Sequence, residues 1–104
     1  MEKNILNQTE IFKDWLNGLK EKQTRKRIYG CIHNAENGHF GDSKSVGNGV
    51  YEMRIHYGPG YRLYYFQHDK QLYWLLLGGD KSTQADDIKL AKAIKIKVDR
   101  GEKC

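Results

Sequence analysis

The sequence predicts an α+β fold in the order β-α-α-β-β-β-α: a small antiparallel sheet packed on an N-terminal helical hairpin and a C-terminal helix. Three observations carry this. Apolar residues recur at helical spacing before residue 36 and again after residue 82. Between those stretches the pattern changes to alternation broken by glycine turns. Helices that flank a run of strands, instead of alternating with them, favour α+β over a parallel α/β sheet. At 104 residues the chain suits one domain, residues 1–104, whose core needs no disulfide or metal staple.

Asn4 to Gln8 reads as a short first strand. Thr9 is a suitable N-cap for a helix in which Phe12, Trp15, Leu16 and Leu19 share a face. Gly18 weakens its end, and Lys20 to Thr24 is a polar joint or the next helix start. Ile28, Cys31, Ile32 and Ala35 line a second helix, which Asn37-Gly38 stops. From Gly38 to Gly49, four glycines among polar residues read as a loop. Val50 to Tyr57 alternates, Gly58-Pro59-Gly60 turns, and Tyr61 to His68 alternates again. After a turn at Asp69-Lys70-Gln71, Leu72 to Leu77 is apolar enough for a central strand, ended by Gly78-Gly79. Ser82 or Thr83 caps a last helix. Asp86 and Asp87 occupy its first turn, and Ile88, Ala91, Ile94, Ile96 and Val98 carry its apolar side.

A hairpin closed by the three-residue turn pairs Arg54 with Tyr64 and His56 with Arg62. One face then carries Met53, Ile55, Leu63 and Tyr65, with Tyr51, Tyr57 and Tyr61 at its ends, and belongs against the helices. The other carries Glu52, Arg54, His56, Arg62, Tyr64 and Phe66. That second face has two readings. It is a solvated ion network of Glu52 with Arg54 and Arg62, or it is an anion site. In the second case Arg54 and Arg62 grip a phosphodiester with paired donors, and a base stacks on Tyr64 or Phe66. The expectation is that both arginines are substantially exposed.

A net charge of +5 and a pI near 9.2 favour an acidic partner such as nucleic acid. No apolar run approaches the roughly 18–20 residues of a membrane-spanning helix. The opening MEKNILNQTE has no apolar signal core, so a cytoplasmic protein without membrane partners is expected. Cys31 and Cys104 form neither C-x-x-C nor a Cys/His zinc spacing. Two ordinary thiols are the expectation, with a disulfide as the alternative, and no metal or other cofactor is expected. Gly78-Gly79-Asp80-Lys81-Ser82 lacks the P-loop spacing. It still sets Lys81 and backbone N–H groups at a helix start, where an anion is stabilised.

Several segments together resemble the Gp49-like, "addiction module killer protein" branch of the RelE/HigB toxin superfamily. They are Phe12-Lys13-Asp14-Trp15-Leu16, Gly41-Asp42-Ser43-Lys44 with Val46-Gly47, Tyr51-Glu52-Met53-Arg54-Ile55, Tyr57-Gly58-Pro59-Gly60-Tyr61-Arg62-Leu63-Tyr64 and Gly78-Gly79-Asp80-Lys81-Ser82-Thr83-Gln84. The resemblance runs from about Thr9 to Lys92. It implies a RelE-like fold and a type II toxin that cleaves messenger RNA on translating ribosomes. It also implies a cognate antitoxin, often a helix-turn-helix protein, that silences the toxin. By resemblance Arg54, Arg62 and Lys81 match basic active-site positions, and Lys44 matches a basic position before the sheet. Several relatives end with a catalytic Tyr or His; residues 85–104 here contain neither.

Metal-independent RNA cleavage uses the 2′-OH as nucleophile. It needs proton-transfer groups, each worth about 10²–10⁴-fold, and positive charge on the phosphorane. Arg54 and Arg62 suit the phosphate, with Lys81 or Lys44 as further charge. His56 is the geometric candidate for acid or base. Two other classes compete: a ParE-like toxin that poisons gyrase by protein binding, and a non-catalytic RNA- or ribosome-binding module. Fold likeness does not choose among them.

Overall fold

A computed structural model describes residues 3–101. Its strands are β1 (Ile5–Gln8), β2 (Asp42–Gly47), β3 (Val50–Ile55), β4 (Tyr61–Asp69) and β5 (Leu72–Asp80). They form one sheet in the spatial order β1-β5-β4-β3-β2. Helices α1 (Glu10–Gly18) and α2 (Lys22–Glu36) follow β1, and a 3₁₀ turn, Lys81–Thr83, leads into α3 (Gln84–Asp99). The mixed α+β architecture matches the sequence expectation, with two differences. The sheet has one strand more, and β1 runs parallel to β5, so it is not wholly antiparallel.

Local chemistry sets the helix ends. Thr9 Oγ1 accepts from Phe12 N at 3.0 Å as an N-cap. The same hydroxyl donates to Leu76 O at 2.8 Å, which ties the start of α1 to β5. Gly38, at φ 91°, follows α2 in the left-handed conformation that stops helices. Cys31 is a half-buried free thiol; Cys104 lies outside the described residues.

The two sheet faces carry separate cores. Phe12 and Leu16 of α1, with Ile28, Ile32 and Ala35 of α2, pack on Met53, Ile55, Leu63, Tyr65 and Leu75. This is the face assigned to the helices from sequence. On the opposite face Ala91, Ile94 and Val98 of α3 pack on Val50, Tyr64, Phe66, Leu76 and Leu77. A register shift between Tyr64 and Tyr65, which pair with Leu77 and Leu75, accommodates the extra Leu76.

Three sequence expectations need correction. The stretch 38–49 is not all loop, because Asp42–Gly47 forms the edge strand β2. It pairs Asp42 with Arg54 and Lys44 with Glu52. Such a strand shows no apolar face, and charged side chains suit an exposed edge. Next, Gly78-Gly79 does not end β5; both glycines lie buried within it. A Cβ on Gly78 would lie 2.1 Å from the Trp15 ring, and one on Gly79 would lie 2.0 Å from Asp87 Oδ2. The glycines therefore admit α1 and α3 to opposite sides of one strand. Finally, the β3–β4 register is slipped by two residues. Arg54 faces Arg62, and Glu52 faces Tyr64. The connection spans residues 56–60, with Gly58 and Gly60 at positive φ, so His56 is outside the ladder. A slip of two keeps every side chain on its expected face.

Candidate functional site

The register places Arg54 and Arg62 directly opposite each other, where like charges repel. Glu52, two residues before Arg54 on the same face, resolves that repulsion. Its carboxylate lies 3.0 Å from Arg54 Nε and 3.4 Å from Arg62 Nε. It also accepts from Gln84 Nε2 at 2.8 Å and from the Tyr64 hydroxyl at 3.4 Å. The Glu52 side chain is 1% exposed, against 12% for Arg62 and 30% for Arg54. The expected solvated network is therefore a buried one, and Arg62 is not an exposed residue. Its Nε is buried, and the approach to Glu52 is too poorly aligned for a hydrogen bond. Burial, then the charge of Glu52, push the Tyr64 phenol far above its ordinary value, so it remains a neutral donor.

Beside this network lies an open cleft of about 360 Å³ at the tip of the β3–β4 hairpin. Its charged and titratable lining is Arg54, His56, Arg62 and Lys81, with Tyr57 and Tyr61. No carboxylate belongs to that lining. Lys81 reaches the cleft because its backbone N–H donates to Gly60 O at 3.0 Å, fastening the end of β5 to the hairpin tip. Three cations in one lining attract an anion, and the Arg54 guanidinium, held through Nε, can present its other N–H groups outward.

His56 is on the cleft rim with its side chain 77% exposed, and its Nε2 is 2.8 Å from Asp42 Oδ2. That hydrogen bond, with lesser help from Arg54 and Arg62, lowers the Asp42 carboxyl below its ordinary value. The sheet thus joins an edge-strand carboxylate to a hairpin histidine across 14 residues of sequence.

The structure brings Arg54, His56, Arg62 and Lys81 together at one cleft. Lys44 is exposed on the edge strand opposite Glu52 and is not among the cleft residues. Tyr64 and Phe66 do not form a stacking platform: both are buried beneath α3. The expected helix-start anion site is also taken. Asp80 Oδ1 accepts from Ser82 N at 2.8 Å, so the chain supplies its own carboxylate there, and neither Ser82 nor Thr83 caps by its side chain. Sequence reasoning missed Asp42 and Gln84. Asp42 carries a signal only once its strand is paired, and Gln84 only once α3 is docked. Among the described residues, no group of three or more His, Cys, Asp or Glu gathers as a metal site, and no helix is long and apolar enough to cross a membrane.

Fold and site together define a small, basic α+β protein with an arginine-lined cleft at a hairpin tip. The chain belongs to the family of phage-derived Gp49-like proteins (DUF891), which residues 14–99 match. An uncharacterised protein of Haemophilus influenzae strain Rd is 45% identical to it over 86 residues, covering 83% of this chain and 87% of the relative.

Proposed function

We infer that this chain is the toxin of a type II toxin–antitoxin pair, an endoribonuclease of RelE/HigB type. Its substrate is messenger RNA, engaged on translating ribosomes, and a cognate antitoxin of helix-turn-helix type silences it. The observation that supports this best is the cleft walled by Arg54, Arg62 and Lys81 with no carboxylate among its lining residues. These cations occupy the positions that the family resemblance assigns to catalytic charge.

In this reading the cleft receives a phosphodiester. Arg54 and Arg62 donate to its non-bridging oxygens, and these interactions strengthen as the phosphorane gains charge. Glu52 holds the Arg54 guanidinium by a hydrogen bond to Nε and draws Arg62 toward it by charge, fixing their positions before substrate arrives. Lys81 adds charge from the third side. His56 is the proton-transfer candidate. It takes the 2′-OH proton or protonates the 5′-oxygen, with Asp42 setting its ring orientation. Lys44, on the edge strand, extends the field toward the RNA backbone.

One observation favours a second reading. Residues 85–104 supply no Tyr or His, and α3 turns its buried side chains to the core. A non-catalytic RNA- or ribosome-binding module fits those facts. The experiment is to induce the chain without antitoxin and map RNA 5′ ends within minutes, with DNA supercoiling and breaks followed in parallel. New messenger RNA ends, absent with Arg62→Lys, are the expected result. Translation arrest with intact messages supports the binding module. Intact messages with blocked replication indicate a gyrase poison and overturn the nuclease reading.

A further inference from the structure

The cleft is not the end of the basic surface. Residues 20–27, KEKQTRKR, hold five cations and one acid. Lys22, Lys26 and Arg27 lie exposed on α2, on the sheet face opposite α3. A second concavity of about 360 Å³ runs along this helix, lined by Gln23, Lys26, Arg27, Gly30, Cys31 and Asn34. Gly30 leaves it open, since a Cβ there would meet nothing within 4 Å. The two concavities adjoin at one point. The Arg27 guanidinium sits 4.7 Å from the centre of the Tyr57 ring, and Tyr57 lines the cleft.

Resting on the cleft reading above, we propose that the α2 groove is a second RNA subsite. A single strand leaving the cleft turns round the hairpin tip, passes the Tyr57–Arg27 pair and lays its backbone along α2. Lys22, Lys26 and Arg27 meet phosphates there, and the amides of Gln23 and Asn34 supply donors and acceptors for sugar hydroxyls. An aromatic ring beside a guanidinium at the junction suits a nucleotide of any sequence. Basic helix, neutral amides and open floor make a polyanion the occupant that the charge selects.

The test uses 2′-O-methyl RNA, which cannot be cleaved: a trinucleotide that fills the cleft, and a strand of about twelve nucleotides. Binding to the whole protein is measured against salt. The longer strand should bind more tightly and with a steeper salt slope. Lys22→Glu with Lys26→Glu should weaken the longer strand on the order of tenfold and flatten its slope by about 0.7 for each phosphate no longer neutralised. The trinucleotide should be unaffected. In a Cys104→Ser background, the longer strand alone should slow alkylation of Cys31. The proposal is overturned if the parent binds both lengths with one slope, or if the α2 variant loses both equally. It is also overturned if that variant binds both as the parent does and Cys31 stays reactive, which leaves the face to an acidic protein partner. The cleft reading has its own arm. Trinucleotide binding that survives Arg62→Ala defeats that reading, and the continuation proposed here with it.

Discussion

Arg62 and Tyr64 are two residues apart on β4 and point to the same side of the sheet, yet they belong to different regions. Toward the middle of that face, Tyr64 and Phe66 are sealed under Ala91, Ile94 and Val98 of α3. Toward the hairpin tip, Arg62 and Arg54 converge on Glu52 and open onto a cleft. Covered strand surface is held by area removed from water. At the tip the same strands bury a carboxylate, which is tolerable only because cations and an amide surround it. Gln84, at the first turn of α3, donates to Glu52 and marks the border between the regions. Helix α3, by where it stops covering the sheet, thus decides which side chains pack and which open onto the cleft.

Two substitutions test the ends of that comparison, and they should cost most. Phe66→Ala removes a buried ring from the α3 side and should lower stability by about 3–5 kcal/mol. Glu52→Ala leaves two arginines crowded without their anion and should also cost about 3–5 kcal/mol. Urea unfolding measures both. A loss under about 1 kcal/mol for Glu52→Ala, the range of solvated pairs, would mean the network is open to water, and the contrast between the two regions would disappear.

Arg62→Lys asks whether the polar end does chemistry. The ammonium keeps the charge but not the paired donors. If the proposed nuclease reading holds, single-turnover cleavage on ribosomes should fall about 10²-fold, the size seen when one aligned transition-state donor is removed, while RNA affinity falls much less. Near-normal cleavage would leave Arg62 as a phosphate anchor. A smaller effect is expected at the seam. Gly79→Ala drives a methyl group into Asp87 and Thr83 and should cost about 1–3 kcal/mol by shifting the start of α3. Thermal unfolding that matches the parent would show that α3 does not need this close approach.

The smallest effect concerns the cleft rim. Asp42 titrates below its ordinary value because His56 hydrogen-bonds it. A carboxylate with a lower pKa folded than unfolded stabilises the fold above the unfolded value. That contribution is lost as pH falls through the folded value, here below 3.8. The pair is exposed, so the observable is the titration itself. In His56→Ala the Asp42 carboxyl resonance should titrate closer to 3.8. An unchanged titration would mean the pair is absent in solution.

Much of this molecule is legible from residue order because its signals are local. Thr9 caps α1 with its own hydroxyl, Gly38 stops α2 by its backbone freedom, and the apolar run Leu72 to Leu77 forms a strand whose Leu75, Leu76 and Leu77 are buried. The period-two sorting of β3 and β4 assigned each side chain its face, and it survived a two-residue slip because two is the period. Residue order, together with the family resemblance, also singled out Arg54, His56, Arg62 and Lys81, which the fold gathers at one cleft. It could not say that Tyr64 and Phe66 are walls instead of platforms, that Asp80 occupies the helix-start site, or that Glu52 is the buried hub. The first and the last depend on where distant elements dock, α3 over the sheet and β4 beside β3, whereas the Asp80–Ser82 bond spans two residues and takes shape in the folded turn. Sequence pattern fixes which way a side chain points. Only the packed structure decides what stands in front of it, because burial and electrostatic partnership arise between segments far apart in the chain.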